Sequence, residues 1–136
     1  MAKADKDKFK GYTEEELKKM PLDDFMALIR ARSRRALKRA LSGTNVQFKK
    51  LIDSVRKKME KGVNKPIRTH TREAVIIPEW LGLTFHVYNG KEWKPVEITI
   101  DKLGHRLSEY SYSTEFKGHS NPGIGATRGS KFVGAK

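Results

Sequence analysis

Apolar and polar residues alternate along Leu83-Thr84-Phe85-His86-Val87-Tyr88, and again along Val96-Glu97-Ile98-Thr99-Ile100. A period of two is the strand period, so Leu83, Phe85 and Val87 share one face, as do Val96, Ile98 and Ile100. Asn89-Gly90 follows the first run, and this pair tolerates the positive φ of a tight turn. The pattern predicts a β-hairpin with a two-residue turn. Pro95 has no N–H to give to a ladder, which suits an edge strand or a strand start. A lone hairpin is marginal in water. Thr69 to Ile77, with its apolar run Val75-Ile76-Ile77 before Pro78, is the candidate third strand.

Upstream, the period lengthens. Thr13 with Glu16 has capping-box spacing and starts a short helix carrying Leu17 and Met20, which must stop at Pro21. Pro21 then opens a second helix, with Asp23 and Asp24 in its first turn and Leu22, Phe25, Met26 and Ile29 at helical spacing. Ser42-Gly43 reads as a helix stop and Thr44 as the next N-cap. Phe48, Leu51, Ile52, Val55 and Met59 mark one face of the following helix, which ends near Gly62. After the hairpin, Asp101 is placed to cap a helical turn reaching Leu107.

Together these elements predict an α+β chain. A small, mainly antiparallel three-stranded sheet packs with helices, preceded by an N-terminal helical extension and followed by an extended basic tail. The expected divisions are 1–12 disordered, 13–62 a basic helical region, 63–116 an α+β core, and 117–136 an extended glycine-rich basic tail. Residues 1–12 lack the apolar centre of a secretory signal.

Charge sharpens the picture. The 136 residues carry a formal net charge of +13, with 37% hydrophobic and 33% charged residues. Such a balance asks for a polyanion, nucleic acid before membrane. Residues 1–62 hold 18 basic and 9 acidic side chains, against 11 and 7 in 63–136, so the helical part supplies most of the excess. Arg30, Arg32, Arg34, Arg35, Lys38, Arg39, Lys49 and Lys50 follow one another without a single acid. A mixed-sign run would be an ordinary solvated face. An unrelieved one points to a phosphate backbone. Lys65, Arg68 and Arg72, with Thr69 between them, add donors of the kind that position a protein on phosphate and ribose. Replacing Arg68 and Arg72 together by alanine is expected to weaken assembly with such a partner and leave the isolated domain folded. The last twenty residues, with five glycines and basic residues that include Arg128 and Lys131, read as a tail that orders on a partner.

Catalytic and metal chemistry find no footing. The chain has no cysteine, and its four histidines, at 70, 86, 105 and 119, lack paired ligand spacing. Gly123 to Lys131 is superficially similar to a phosphate-binding loop, but its Lys follows Ser and its glycine spacing is wrong. No enzyme activity, cofactor, metal or small-molecule substrate is expected, and no stretch has the length of a membrane span.

Several motifs carry a family resemblance: Lys65-Pro66-Ile67-Arg68-Thr69, Ile77-Pro78 with Gly82, Val87-Tyr88-Asn89-Gly90-Lys91, and Gly104-His105-Arg106-Leu107-Ser108-Glu109-Tyr110. Over roughly residues 65–119 the chain resembles small-subunit ribosomal protein nineteen. The Arg-rich helices and Asn121-Pro122-Gly123-Ile124-Gly125-Ala126-Thr127 are similar to the archaeal and eukaryotic branch, whose eukaryotic member is numbered fifteen. Ser108 stands where the family pattern has glycine.

The resemblance implies a structural, rRNA-binding constituent of the small-subunit head, cytoplasmic on the ribosome. Its partners would be the 3′ major domain of small-subunit rRNA and ribosomal protein thirteen, with the tail reaching toward tRNA near the decoding region. Carried over by motif, Lys65, Arg68, Thr69, Arg72, His105, Arg106, Lys117 and His119 are expected to face RNA, with Lys91 near phosphate. An architectural DNA-binding protein is the alternative that charge alone equally allows.

Overall fold

A computed structural model describes residues 7–115 and Gly129. Four helices come first: α1 (Glu14–Lys19), α2 (Leu22–Leu28), α3 (Ala31–Ser42) and α4 (Val46–Glu60). Strands β1 (Ile67–Thr69), β2 (Thr84–Tyr88) and β3 (Trp93–Glu97) follow, with short 3-10 turns at Pro78–Trp80, Ile100–Lys102 and Leu107–Tyr110. The α+β class is as expected.

The helix boundaries follow their capping chemistry. Glu16 Oε2 accepts from Thr13 N at 2.8 Å, the backward half of the expected capping box. At the end of α3, Gly43 takes a left-handed φ of 86°, and its N–H bonds to Ala40 O. The cap of α4 is Asn45 rather than Thr44: Asn45 Oδ1 accepts from Phe48 N at 3.2 Å, while Thr44 bonds the Ser42 hydroxyl. Phe48, Leu51, Ile52 and Val55 of α4 are buried as the period requires, but Met59 is 46% exposed, past the end of the covered face. Asp101 is not a cap either; Thr99 precedes the turn it lies in.

The sheet corrects the sequence reading. Its order is β1-β2-β3. β2 and β3 are antiparallel, with Phe85 opposite Val96, but β1 runs parallel to β2, with Ile67 opposite Phe85. The sheet is therefore mixed. The Asn89-Gly90 turn is also looser than two residues. Asn89 Oδ1 accepts from both Lys91 N (3.0 Å) and Glu92 N (2.9 Å), so one side chain organises a four-residue loop.

Val75-Ile76-Ile77 is fully buried but does not extend β1. This segment lines up with Gly104–Ser108 instead. Ile76 N bonds His105 O at 2.8 Å, Gly104 N bonds Ile76 O at 3.0 Å, and Leu107 N bonds Ala74 O at 3.1 Å. Gly104 is required there. Its φ is +77°, and a Cβ would meet Ile29 Cγ2 at 3.0 Å. Ser108, by contrast, is not among the residues with positive φ, and its N–H bonds Arg72 O, so serine is accommodated.

One apolar cluster joins the helices to the sheet, from Leu17, Phe25 and Leu37 through Phe48 and Trp80 to Phe85, Val96 and Leu107. Trp80 sits between Phe48 and Phe85, with ring centroids 6.4 and 4.9 Å away. Phe9 packs on Phe25 at 6.0 Å, so the chain ahead of α1 also touches this core. Among the described residues no helix is long and apolar enough to cross a membrane.

Candidate nucleic-acid interface

α3 separates its residue types by face. Ser33, Leu37 and Ala40 turn inward and are buried, whereas Arg32, Arg35, Lys38 and Arg39 are exposed on the other side. Arg32, Arg35 and Arg39 lie three and four residues apart, so their guanidinium groups line one ridge. The first turn of the helix holds no acid, and Arg30 at its N-cap gives no side-chain cap. None of these cations forms an ion pair among the described residues.

The start of α3 also borders a cleft of about 270 Å³, whose lining includes Lys10, Arg30, Arg32, Ser33, His105 and Arg106. Two expected site regions more than seventy residues apart thus meet. The fastening is the Ser33 hydroxyl, which donates to Gly104 O at 2.8 Å. His105 Nδ1 lies 2.6 Å from Glu109 Oε2, which fixes the ring at the cleft rim. Lys10 belongs to this cleft as well, and nothing in its charged, low-complexity surroundings marks it out in the sequence.

Other expected contacts have internal duties. Arg34 Nε donates to Met26 O (2.8 Å) and its Nη2 to Ile29 O (3.1 Å), closing the C-terminal end of α2. Arg72 donates to Tyr88 O (2.9 Å), Ser111 O (2.6 Å) and Ser111 Oγ (3.3 Å). Thr69 is buried, and its hydroxyl accepts from Thr71 N at 3.0 Å. These three side chains make bonds that hold the fold. Arg68 is exposed in β1, and Lys65 is exposed just ahead of it. Lys91 is exposed in the hairpin loop, beside the pair Glu92–Lys94 at 2.7 Å. The Lys94 ammonium holds the Glu92 carboxyl below its usual range, and Glu92 raises Lys94 in return. Lys117, His119, Arg128 and Lys131 lie outside the described residues.

The alternation that buries Phe85 and Val87 places His86 and Tyr88 on the other face of β2, and the hairpin register sets Trp93 against Tyr88. Sequence reasoning missed their aromatic grouping with His70, which depends on the parallel pairing of β1 with β2.

A helix whose cationic ridge makes no ion pair among the described residues, with a basic cleft beside it, has the charge to meet a polyanion at its phosphates. Which polyanion is settled by comparison. The family model for Ribosomal protein S19 matches residues 38–119, and the chain belongs to that family. It is a structural constituent of the small ribosomal subunit, a ribonucleoprotein component that binds rRNA and other ribosomal proteins in translation.

Proposed function

We propose that this chain sits in the head of the small subunit on the 3′ major domain of the rRNA, beside ribosomal protein thirteen. Its C-terminal segment extends toward tRNA near the decoding region, and the particle is cytoplasmic. The motifs quoted above support the placement. The observation that carries the mechanism is the α3 ridge, where Arg32, Arg35 and Arg39 stand opposite the buried stripe with no carboxylate paired to them among the described residues. Their role is to replace counterions on folded RNA, so that helices which repel one another pack together.

Replacing Arg32, Arg35 and Arg39 by glutamine tests this. The triple variant keeps the wild-type unfolding midpoint, because its side chains face solvent. Its affinity for transcribed small-subunit rRNA falls, and the log–log salt slope decreases by roughly 2–3. An unchanged slope sinks the ridge as the phosphate contact. Crosslinking of assembled subunits checks the placement: adducts with the 3′ major domain and protein thirteen are expected, and adducts confined to the subunit body overturn it.

A further inference from the structure

The outer face of the sheet is aromatic where a solvent face is ordinarily polar. Ring centroids of His70 and Tyr88 lie 5.0 Å apart, His70 and Trp93 4.9 Å, and Tyr88 and Trp93 5.1 Å. The Arg68 guanidinium carbon is 5.6 Å from the centre of the Trp93 ring. Arg68 is opposite His86, and His86 is opposite Pro95, so a second row of flat or cationic groups adjoins the rings. The rings do not serve the core. Neither Tyr88 nor Trp93 belongs to the apolar cluster or packs against it, and Phe85 and Val87 fill the inner face. His70 and Arg68 are exposed, while Tyr88, His86 and Trp93 are half-buried.

We propose that this face is a stacking platform for an unpaired RNA base, with Trp93 and His70 as its floor and Arg68 as the phosphate contact. The inference rests on the rRNA-binding reading and adds to it the chemical form of one contact. A splayed-out base offers a π-face to indole and imidazole, and three-stranded surfaces carrying exposed rings suit that geometry. Charge favours RNA over a protein neighbour. Arg68 and Lys65 are unpaired among the described residues, and the one carboxylate on this strand face, Glu97, lies beyond Pro95 from the rings. The rings also keep polar edges, such as the Tyr88 hydroxyl donating to Gly90 O at 3.1 Å, so the patch is not a dry apolar seat for a side chain.

The test uses the full chain and its two tryptophans. Trp80 is fully buried, so emission quenched by added RNA reports Trp93. Single-stranded oligouridylate of about ten nucleotides quenches the wild type, and a duplex of the same length does not. Trp93→Leu, which keeps apolar bulk without a π-face, weakens binding to the oligouridylate and to transcribed small-subunit rRNA by roughly 5- to 150-fold. Trp93→Phe retains binding. His70→Ala, outside the strands, weakens it without disturbing the sheet. If Trp93→Leu and His70→Ala bind rRNA as the wild type does, the platform is wrong while the rRNA-binding reading stands. If the wild type itself fails to bind rRNA, the underlying reading falls. If the variants bind rRNA normally but leave assembled subunits, the face holds a protein and the proposal is overturned.

Discussion

Arg72 separates fold from function at a single side chain. Its guanidinium reaches Tyr88 O at the end of β2 and both the carbonyl and hydroxyl of Ser111, which is fully buried. The Ser111 hydroxyl in turn donates to Val87 O at 3.2 Å. Arg72→Ala strips two carbonyls of a charged donor in a partly buried setting. Each acceptor left unpaired costs about 1–3 kcal/mol. Water reaches part of this site, so the lower half of that range applies, and the variant loses about 2–4 kcal/mol. A domain of this kind holds roughly 5–15 kcal/mol in total. The melting temperature should therefore fall by on the order of 10 °C. Arg72→Lys offers one ammonium where three bonds diverge, and recovers about half of the loss. Arg68→Ala, an exposed group stacked on Trp93, changes stability by only about 0.5–1 kcal/mol. Urea unfolding followed by circular dichroism measures all three. An Arg72→Ala variant within about 0.5 kcal/mol of wild type would refute the reasoning. The expectation that Arg68 and Arg72 form one removable RNA contact is thus replaced. The double variant should unfold more easily, and Arg72 should account for nearly all of it.

Three further outcomes follow from local geometry. Gly104→Ala forces a side chain into positive φ and against Ile29 Cγ2 at 3.0 Å, and should cost about 1–3 kcal/mol in urea unfolding, with no loss counting against the strain. Asn45→Ala removes the α4 cap on Phe48 N and the bond to Glu73 Oε1, and should lower stability by about 1 kcal/mol, whereas Thr44→Ala should lower it less. The bond from Thr13 N holds the Glu16 carboxyl below 4.5, so the unfolded chain binds its proton more readily. That contribution is present above 4.5 and is lost as pH falls through the lowered folded value. Glu16→Gln should flatten this part of the stability profile measured between about pH 3 and pH 6, and an unchanged profile removes Glu16 from the acid transition.

The helices were readable because their signals are local. Apolar residues recur at the helical period, and Gly43 and Gly62 take the left-handed φ that ends α3 and α4. The parallel strand was not readable. Ile67-Arg68-Thr69 is too short to show a period, and its partner lies eighteen residues away at Phe85. Val75-Ile76-Ile77 has strand-like residues, but its partner is the Gly104–Ser108 segment, reached only because Gly104 can turn there. The cationic ridge of α3 was legible from the missing acids. The duties of Arg34 and Arg72 were not, because they depend on which carbonyls the fold brings within reach. The same limit hid the meeting of Arg30 with His105 and Arg106, which the Ser33 hydroxyl and the close approach of Gly104 to Ile29 hold together.

Pro95 bears on how such a chain survives before it meets RNA. Among the described residues β3 is an edge strand, and an edge with free donors is a template for another chain's strand. Ile98 directs both its N–H and its carbonyl toward the β2 side, to Leu83 O and Gly82 N. Strand alternation then points residues 97, 95 and 93 outward. The outward nitrogen at the middle of that row belongs to Pro95 and carries no hydrogen. The row offers donors at its two ends and none between them. At the opposite edge β1 is only three residues long. Strand addition therefore meets a missing donor at one edge and a short partner at the other, and the backbone itself disfavours pairing between copies of the chain.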